Sequence, residues 1–306
     1  MPLPTFLILG AAKSGTTSLY HALRQHPDVF MPAVKEPRYF AYVDDPPPMT
    51  GPGDRESNEA AGAVYTWKDY CALFAEAEAS AIGEASVNYL YSPTAPRRIH
   101  ERLPDAHLIV VLRNPIDRAY SHYLHLLRSG REPLDDMQAA LDAEDERVAA
   151  GWEWSWHYRR MGHYGAHVER YLEVFDRSQL HVYRFETLAD DPTGLAQRVF
   201  RVLGVDPTFE PVDRGRRRST GVPRSDWFHR FLHNPDHPVR RLSRRLLPES
   251  VRDRVLTSAK DANLQKPPLP AATRARLAAT YQEDVHRLSE CLGRDFTDWL
   301  DTEPAS

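Results

Sequence analysis

Near the amino terminus, the stretch Phe6-Leu7-Ile8-Leu9-Gly10-Ala11-Ala12-Lys13-Ser14-Gly15-Thr16-Thr17-Ser18 is an apolar run ending in glycine. A short loop closed by a second glycine follows, and then an amphipathic segment carrying Leu19 and Leu23. That order prescribes a strand, a tight turn and a helix N-terminus, where unpaired N–H groups and the helix dipole attract an anion. Gly10 and Gly15 keep the spacing of the nucleoside-triphosphate loop G-x-x-x-x-G-K-[ST], whose lysine reaches the β- and γ-phosphates and whose hydroxyl holds Mg²⁺. Here Thr16 fills the lysine slot, and the lysine stands at Lys13 instead. The loop suits a phosphate but is poorly built for Mg²⁺-assisted γ-phosphoryl transfer.

Past the strand Thr5 to Leu9 and the helix Thr17 to His26, the segment Asp28 to Phe40 is expected to return across the top of a sheet. Asp44 to Gly62, rich in Pro and Gly, reads as a mobile surface loop. Trp67 to Glu76 has helical spacing, Ala81 to Glu84 is a short buried strand opening into Ala85 to Tyr91, and Pro93 to Leu103 is a helix. His107 to Leu112 is the clearest strand, a continuous apolar run ended by Arg113-Asn114-Pro115, and the amphipathic helix Pro115 to Leu127 follows it. Arg128 to Arg160 is charged and Trp-rich, with Leu134, Met137, Ala140 and Leu141 suggesting one more helix. His163 to Phe175 and Thr193 to Leu203 read as helices around a strand Leu180 to Tyr183; patterning is lost from Pro207 to Pro238, and an amphipathic helix Ala271 to Leu292 closes the chain. Alternating strands and helices of this kind call for an α/β fold: a P-loop-like parallel β-sheet flanked by helices, with a helical C-terminal part. All 306 residues are expected to form a single domain, with 207–265 an irregular or lid-like and helical segment. In such sheets the ligand sits at the carboxyl ends of the strands, where the loop and Arg113 fall.

The loop Pro4 to Ser18 resembles the 5′-phosphosulfate loop of the sulfotransferases, which use 3′-phosphoadenosine 5′-phosphosulfate as sulfuryl donor. His26-Pro27-Asp28-Val29 and Lys35-Glu36-Pro37-Arg38-Tyr39-Phe40 resemble the branch containing the glycosaminoglycan (heparan sulfate) sulfotransferases and many bacterial relatives. Val110 to Tyr123 resembles the family's second motif, whose arginine and serine hold the 3′-phosphate; here these are Arg113 and Ser121. Eight residues separate the two, one at a strand end and one two turns into the next helix, so they can converge on one phosphate. The resemblance makes Lys13 the catalytic lysine, with Ser14, Gly15, Thr16, Thr17 and Ser18 contacting the same phosphosulfate. It makes Glu36 the general base, a role that needs an acceptor within hydrogen-bond reach of the attacking oxygen. His122 and His125 compete for that role, as in small-molecule sulfotransferases, but without a matching motif. Ala85 stands where animal relatives carry a lysine, and Arg38 where many carry histidine, so polysaccharide specificity does not transfer.

Twelve arginines and four acids between Arg214 and Arg254 leave a local excess of +8, against −4 for the whole chain. Arg216, Arg217 and Arg218 are the best donor-gripping candidates there, since the resemblance puts a lid about here, with Lys266 a weaker one; a solvated charged face is the plainer alternative. Net charge gives no pull toward nucleic acid. Cys71 and Cys291, the only cysteines, lack metal-ligand spacing and point to a reducing compartment. His163 and His167 lack the glutamate and third ligand of a zinc site, and no metal is expected. Trp152, Trp154 and Trp156 alternate at strand-like spacing and suit either an acceptor pocket or packing. No apolar run approaches the ~20 residues that span a bilayer. The expectation is a cytoplasmic bacterial enzyme that, as the resemblance implies, moves the sulfuryl group to a hydroxyl or amine of a small-molecule, carbohydrate, lipid or natural-product acceptor. A P-loop nucleotide kinase or a non-catalytic nucleotide-binding regulatory module is the alternative.

Overall fold

The computed structural model describes residues 1–43, 46–212, 222–223, 264–265 and 267–301. Its centre is a five-stranded sheet made of β1 (Phe6–Gly10), β2 (Val29–Phe30), β3 (Ala81–Glu84), β4 (His107–Leu112) and β5 (Leu180–Arg184). The order is β2-β3-β1-β4-β5 and every neighbouring pair is parallel. Parallel neighbours cannot be joined by hairpins, so helical crossovers cover both faces and the central strands become apolar throughout. Alternation then sorts the side chains. Leu7 and Leu9 of β1 and Leu108, Val110 and Leu112 of β4 pack to one side, while Phe6, Ile8, Ile109 and Val111 pack to the other.

In chain order the helices through the sheet region are α1 (Thr16–Leu23), α2 (Tyr39–Tyr42), α3 (Asp54–Ala61), α4 (Trp67–Ala72), α5 (Ala95–Arg102) and α6 (Pro115–Arg128). They continue with α7 (Met137–Asp142), α8 (Glu144–Ala149), α9 (Tyr164–Leu172), α10 (Phe185–Asp190) and α11 (Pro192–Val202), and the long helix Ala271–Leu292 closes the described fold. One face of the sheet is covered by α1 and α11 through Leu19, Leu23, Leu195, Val199 and Phe200. The other is covered by α6, α9 and the C-terminal helix through Leu124, Val168, Tyr171, Tyr281 and Leu288. Gly165 lets α9 approach the C-terminal helix closely, since a Cβ there would sit 2.4 Å from the Asp284 carbonyl oxygen. The Asp284 carboxylate accepts from the N–H groups of Gly165 at 2.7 Å and Ala166 at 3.0 Å, which caps α9 from a neighbouring helix.

Three readings of the sequence change. Asp44 to Gly62 is not all surface loop: it contains α3, and Gly51, Asp54 and Asn58 are buried. Its composition misleads because the buried face of α3 is polar and satisfied by partners far away in sequence. Arg128 to Arg160 holds two short helices rather than one, α7 and α8. The tryptophan alternation is no strand; Trp154–Trp156 forms a 3₁₀ turn. Arg216, Arg217, Arg218, Lys266 and nearly all of the arginine-rich stretch lie outside the described residues.

Candidate active site

β1 ends in Gly10, and the loop turns through Lys13 with φ 68° to Gly15 with φ 81°, the N-cap of α1. A side chain at Gly15 would put its Cβ 2.5 Å from Leu188 Cδ2, so both the left-handed conformation and the close approach of α10 require glycine. No side chain caps α1. The amides of Gly15, Thr16 and Thr17 have no acceptor among the described residues, the condition that makes a helix start receptive to an anion. Ser14 behaves differently from its neighbours: its side chain is buried beneath the loop and its N–H donates to the Ala11 carbonyl at 3.2 Å.

Arg113 leaves the carboxyl end of β4 and donates from Nη1 to the Lys13 carbonyl at 3.3 Å. Its guanidinium lies 4.8 Å from the centre of the Phe185 ring. Burial lowers its pKa, against the opposing pull of Asp117. The chain then enters α6 through Asn114, whose Oδ1 accepts from the N–H of Ile116 at 2.9 Å, with Pro115 opening the helix. Ser121 lies two turns further on, almost wholly buried.

A cleft of about 1330 Å³ runs over the carboxyl ends of β1 and β4. Lys13, Gly15, Thr16, Thr17, Ser18, Arg113 and Ser121 line it, and so do Lys35, Glu36 and Arg38. The two phosphate motifs and the candidate base therefore share one space. Its volume exceeds the ~300–1,000 Å³ usual for a single small ligand.

The segment after β2 crosses the sheet as a strap. Ala85 N–H donates to the Lys35 carbonyl at 3.2 Å, and Arg38 N–H donates to Ser86 Oγ at 2.9 Å. Arg38, at φ 58°, turns the strap into α2. Glu36 receives Lys35 Nζ on Oε1 at 2.6 Å and Arg38 Nη2 on Oε2 at 3.1 Å. Burial pushes its pKa up, but the two cations outweigh that and hold it below the ordinary value, so Glu36 is ionised.

Sequence reasoning gave no role to Asp54, Asn58, Arg131 or Glu153, which lie behind the strap. Arg38 Nη1 also reaches Glu153 at 3.1 Å and Asn58 at 2.6 Å. Glu153 accepts from Tyr42 at 3.1 Å and Ser155 at 2.7 Å. Arg131 Nη2 pairs with Asp54 at 2.5 Å. Arg131, Glu153 and Trp154 all line the cleft, and Arg38 lies 5.2 Å from the Trp154 ring centre. Trp156, by contrast, is core. The charge density of Arg128 to Arg160 was the available signal, and no spacing rule could pair its members with Asp54 or Arg38. His167 engages the Arg160 carbonyl at 3.1 Å and Arg170 at 2.8 Å, and among the described residues no cluster of three or more His, Cys, Asp or Glu could hold a metal ion.

Comparison with known proteins follows the same lines. The family model described as Sulfotransferase domain matches residues 3–245. The chain is 27% identical over 312 residues to bifunctional heparan sulfate N-deacetylase/N-sulfotransferase 4 of Mus musculus, covering 98% of this chain and 31% of that protein. It is 31% identical over 215 residues to the Homo sapiens bifunctional heparan sulfate N-deacetylase/N-sulfotransferase 3, covering 68% of this chain and 23% of that protein. The chain thus spans about a third or less of the length of these relatives. The crystal structure of a sulfotransferase from Alicyclobacillus acidocaldarius superposes with a TM-score of 0.78 at 33% identity, covering 98% of this chain and 100% of that one. A match that crosses both phosphate motifs and the sheet joining them shows that this chain belongs to the sulfotransferase family and is an enzyme of that class.

Proposed function

We propose that this enzyme moves the sulfuryl group of 3′-phosphoadenosine 5′-phosphosulfate to an acceptor hydroxyl, with Glu36 as general base. The observation that carries the reading is the Arg113 Nη1 contact with the Lys13 carbonyl at 3.3 Å, in a cleft that Glu36 also lines. One bisphosphorylated nucleotide can then be gripped at both ends. The fit is supported by the unpartnered amides of Gly15, Thr16 and Thr17 and by a loop in which a Cβ at Gly15 has no room. Those amides, with Lys13 and the hydroxyls of Thr16, Thr17 and Ser18, would hold the 5′-phosphosulfate; Arg113 and Ser121 would hold the 3′-phosphate. The bound nucleotide supplies an activated sulfuryl group and a phosphate leaving group.

Glu36 accepts the acceptor's proton as the new S–O bond forms. Each of its oxygens holds one cation and keeps a further lone pair for that proton. Lys13 offsets the charge that develops on the bridging oxygen of the departing phosphate. Thr16 in the Walker lysine position speaks against a nucleotide kinase, and the cleft's carboxylate beside the anion loop against a purely binding module. Heparan sulfate belongs to the names of the relatives. Ala85 and Arg38 depart from that branch on the acceptor side, so a carbohydrate, lipid or natural-product hydroxyl is the proposed class. Cys71 and Cys291 are both unpaired, which supports a cytoplasmic site of action. The experiment is Glu36→Gln, assayed by transfer of labelled sulfate from the donor into cell extract and by calorimetry with 3′-phosphoadenosine 5′-phosphate. Turnover should fall about 10²- to 10³-fold with nucleotide affinity kept. Unchanged turnover would remove Glu36 from the mechanism, and preference for ATP with Mg²⁺ would overturn the donor.

A further inference from the structure

His122 is 3% exposed, lines the cleft, and follows the proposed 3′-phosphate ligand Ser121 in the chain. Behind it, Arg118 is fully buried and anchored through Nη2 to the Tyr158 carbonyl, with Nη1 4.0 Å from Met161 Sδ. The same Nη1 lies 3.4 Å from His122 Nδ1. A guanidinium has donors and no acceptor, so Nδ1 must be the accepting nitrogen. In a neutral imidazole the proton is then on Nε2. Among the described residues no acceptor engages Nε2.

The surroundings keep the ring neutral. Burial, then Arg118 on its own helix, Lys13 from the anion loop, His125 one turn on and Arg131 beyond α6 all drive its pKa well below the usual value. Trp154 and Tyr158 pack against it with ring centres 5.8 and 6.0 Å away. With Nδ1 accepting from Arg118 and Nε2 carrying the proton, neither nitrogen is available to take a proton from an acceptor. What His122 can do is donate.

We infer that His122 is a fixed hydrogen-bond donor to the transferring sulfuryl group, its Nε2–H set toward the cleft by the Arg118 contact at Nδ1. This rests on the sulfuryl-transfer reading above and adds a residue to it. Trp154, 5.8 Å from the His122 ring centre, also lies 5.2 Å from Arg38, which pairs with Glu36 at 3.1 Å, so the ring stands on the side of the cleft that holds the candidate base and shares that cleft with Lys13. A donor preset there stabilises sulfuryl oxygens without needing to move a proton.

The test compares two nucleotides that differ by the sulfuryl group. Affinities for 3′-phosphoadenosine 5′-phosphate and 5′-phosphosulfate are measured by calorimetry on wild type, His122→Phe and His122→Gln, and the wild-type tautomer by ¹⁵N NMR. The expected result is an affinity for the phosphosulfate about tenfold weaker in His122→Phe, an unchanged affinity for the bisphosphate, recovery in His122→Gln, and an Nε2–H tautomer. Equal losses for both nucleotides, no loss for either, or an Nδ1–H signal would overturn the inference, and the NMR readout stands even if a variant fails to fold. Failure of wild type to bind either nucleotide would sink the donor assignment itself, a result distinct from all of these.

Discussion

Lys13, Thr16 and Glu36 show how little a residue's identity says without its neighbours. Lys13 and Thr16 change the meaning of a phosphate loop by trading a position within one turn of chain, which is local and therefore readable. Glu36 was readable as a candidate base, but its ionisation was not, because that depends on Lys35 at 2.6 Å, Arg38 at 3.1 Å and the depth of the strap. A pH dependence follows. Since the cations hold the carboxyl below 4.5 despite burial, activity that needs ionised Glu36 is complete at neutral pH and is lost only as pH falls through that depressed value. The acid limb of kcat/KM should therefore lie below 4.5, and a limb near 6 to 7 would assign the controlling ionisation to another group. The contribution of these ion pairs to stability runs the same way, present above the ordinary carboxylate value and lost in acid.

At the scale of elements, α3 is the instructive case. Asp54-Arg55-Glu56-Ser57-Asn58-Glu59-Ala60-Ala61 has no apolar stripe, and the Pro/Gly-rich approach to it argues for a loop. It is a helix because its buried side is polar and satisfied: Asp54 accepts from Trp156 Nε1 at 2.7 Å, Glu153 N at 2.9 Å and Gly51 N at 2.9 Å, besides Arg131. Periodicity analysis senses apolar faces and is blind to a face of this kind. Asp54→Ala strands Arg131 and three buried donors, and should cost about 3 kcal/mol in urea unfolding at neutral pH. A loss under ~1 kcal/mol would mean that solvent or rearranged neighbours satisfy those donors. The opposite case is the helix Ala271–Leu292, whose apolar spacing and terminal Gly293 at φ 61° made both its ends legible.

The whole molecule stores one further titration. Glu84, at the carboxyl end of β3, is wholly buried, and burial pushes its pKa up to about 7 although Tyr89, Ser86 and Tyr70 pull it down. The fold holds this proton more tightly than the unfolded chain, where 4.5 is the reference. Stability is thus greatest below that reference and declines as pH rises toward the folded-state value, by ~3 kcal/mol in all. Unfolding free energies from urea titrations at pH 5 and pH 8 should differ by ~2.5 kcal/mol more in wild type than in Glu84→Gln, part of the loss having occurred below pH 5. Equal pH dependence in the two proteins would show that Glu84 does not govern it.

The chain by itself determined the strands β1, β3, β4 and β5 and the anion loop, because each is written in contiguous residues whose spacing obeys strand or helix geometry. The second motif and the segment holding Glu36 were legible through their resemblance to a family, while the edge strand β2 and helix α3 were not legible at all. Tertiary structure alone decided that Arg113 reaches the Lys13 carbonyl, that Arg131 and Glu153 line the same cleft as the anion loop, and that Arg118 dictates the His122 tautomer. Those relations join residues brought together by the sheet and its covering helices, and protonation follows burial and neighbouring charge, quantities that exist only once the chain has folded.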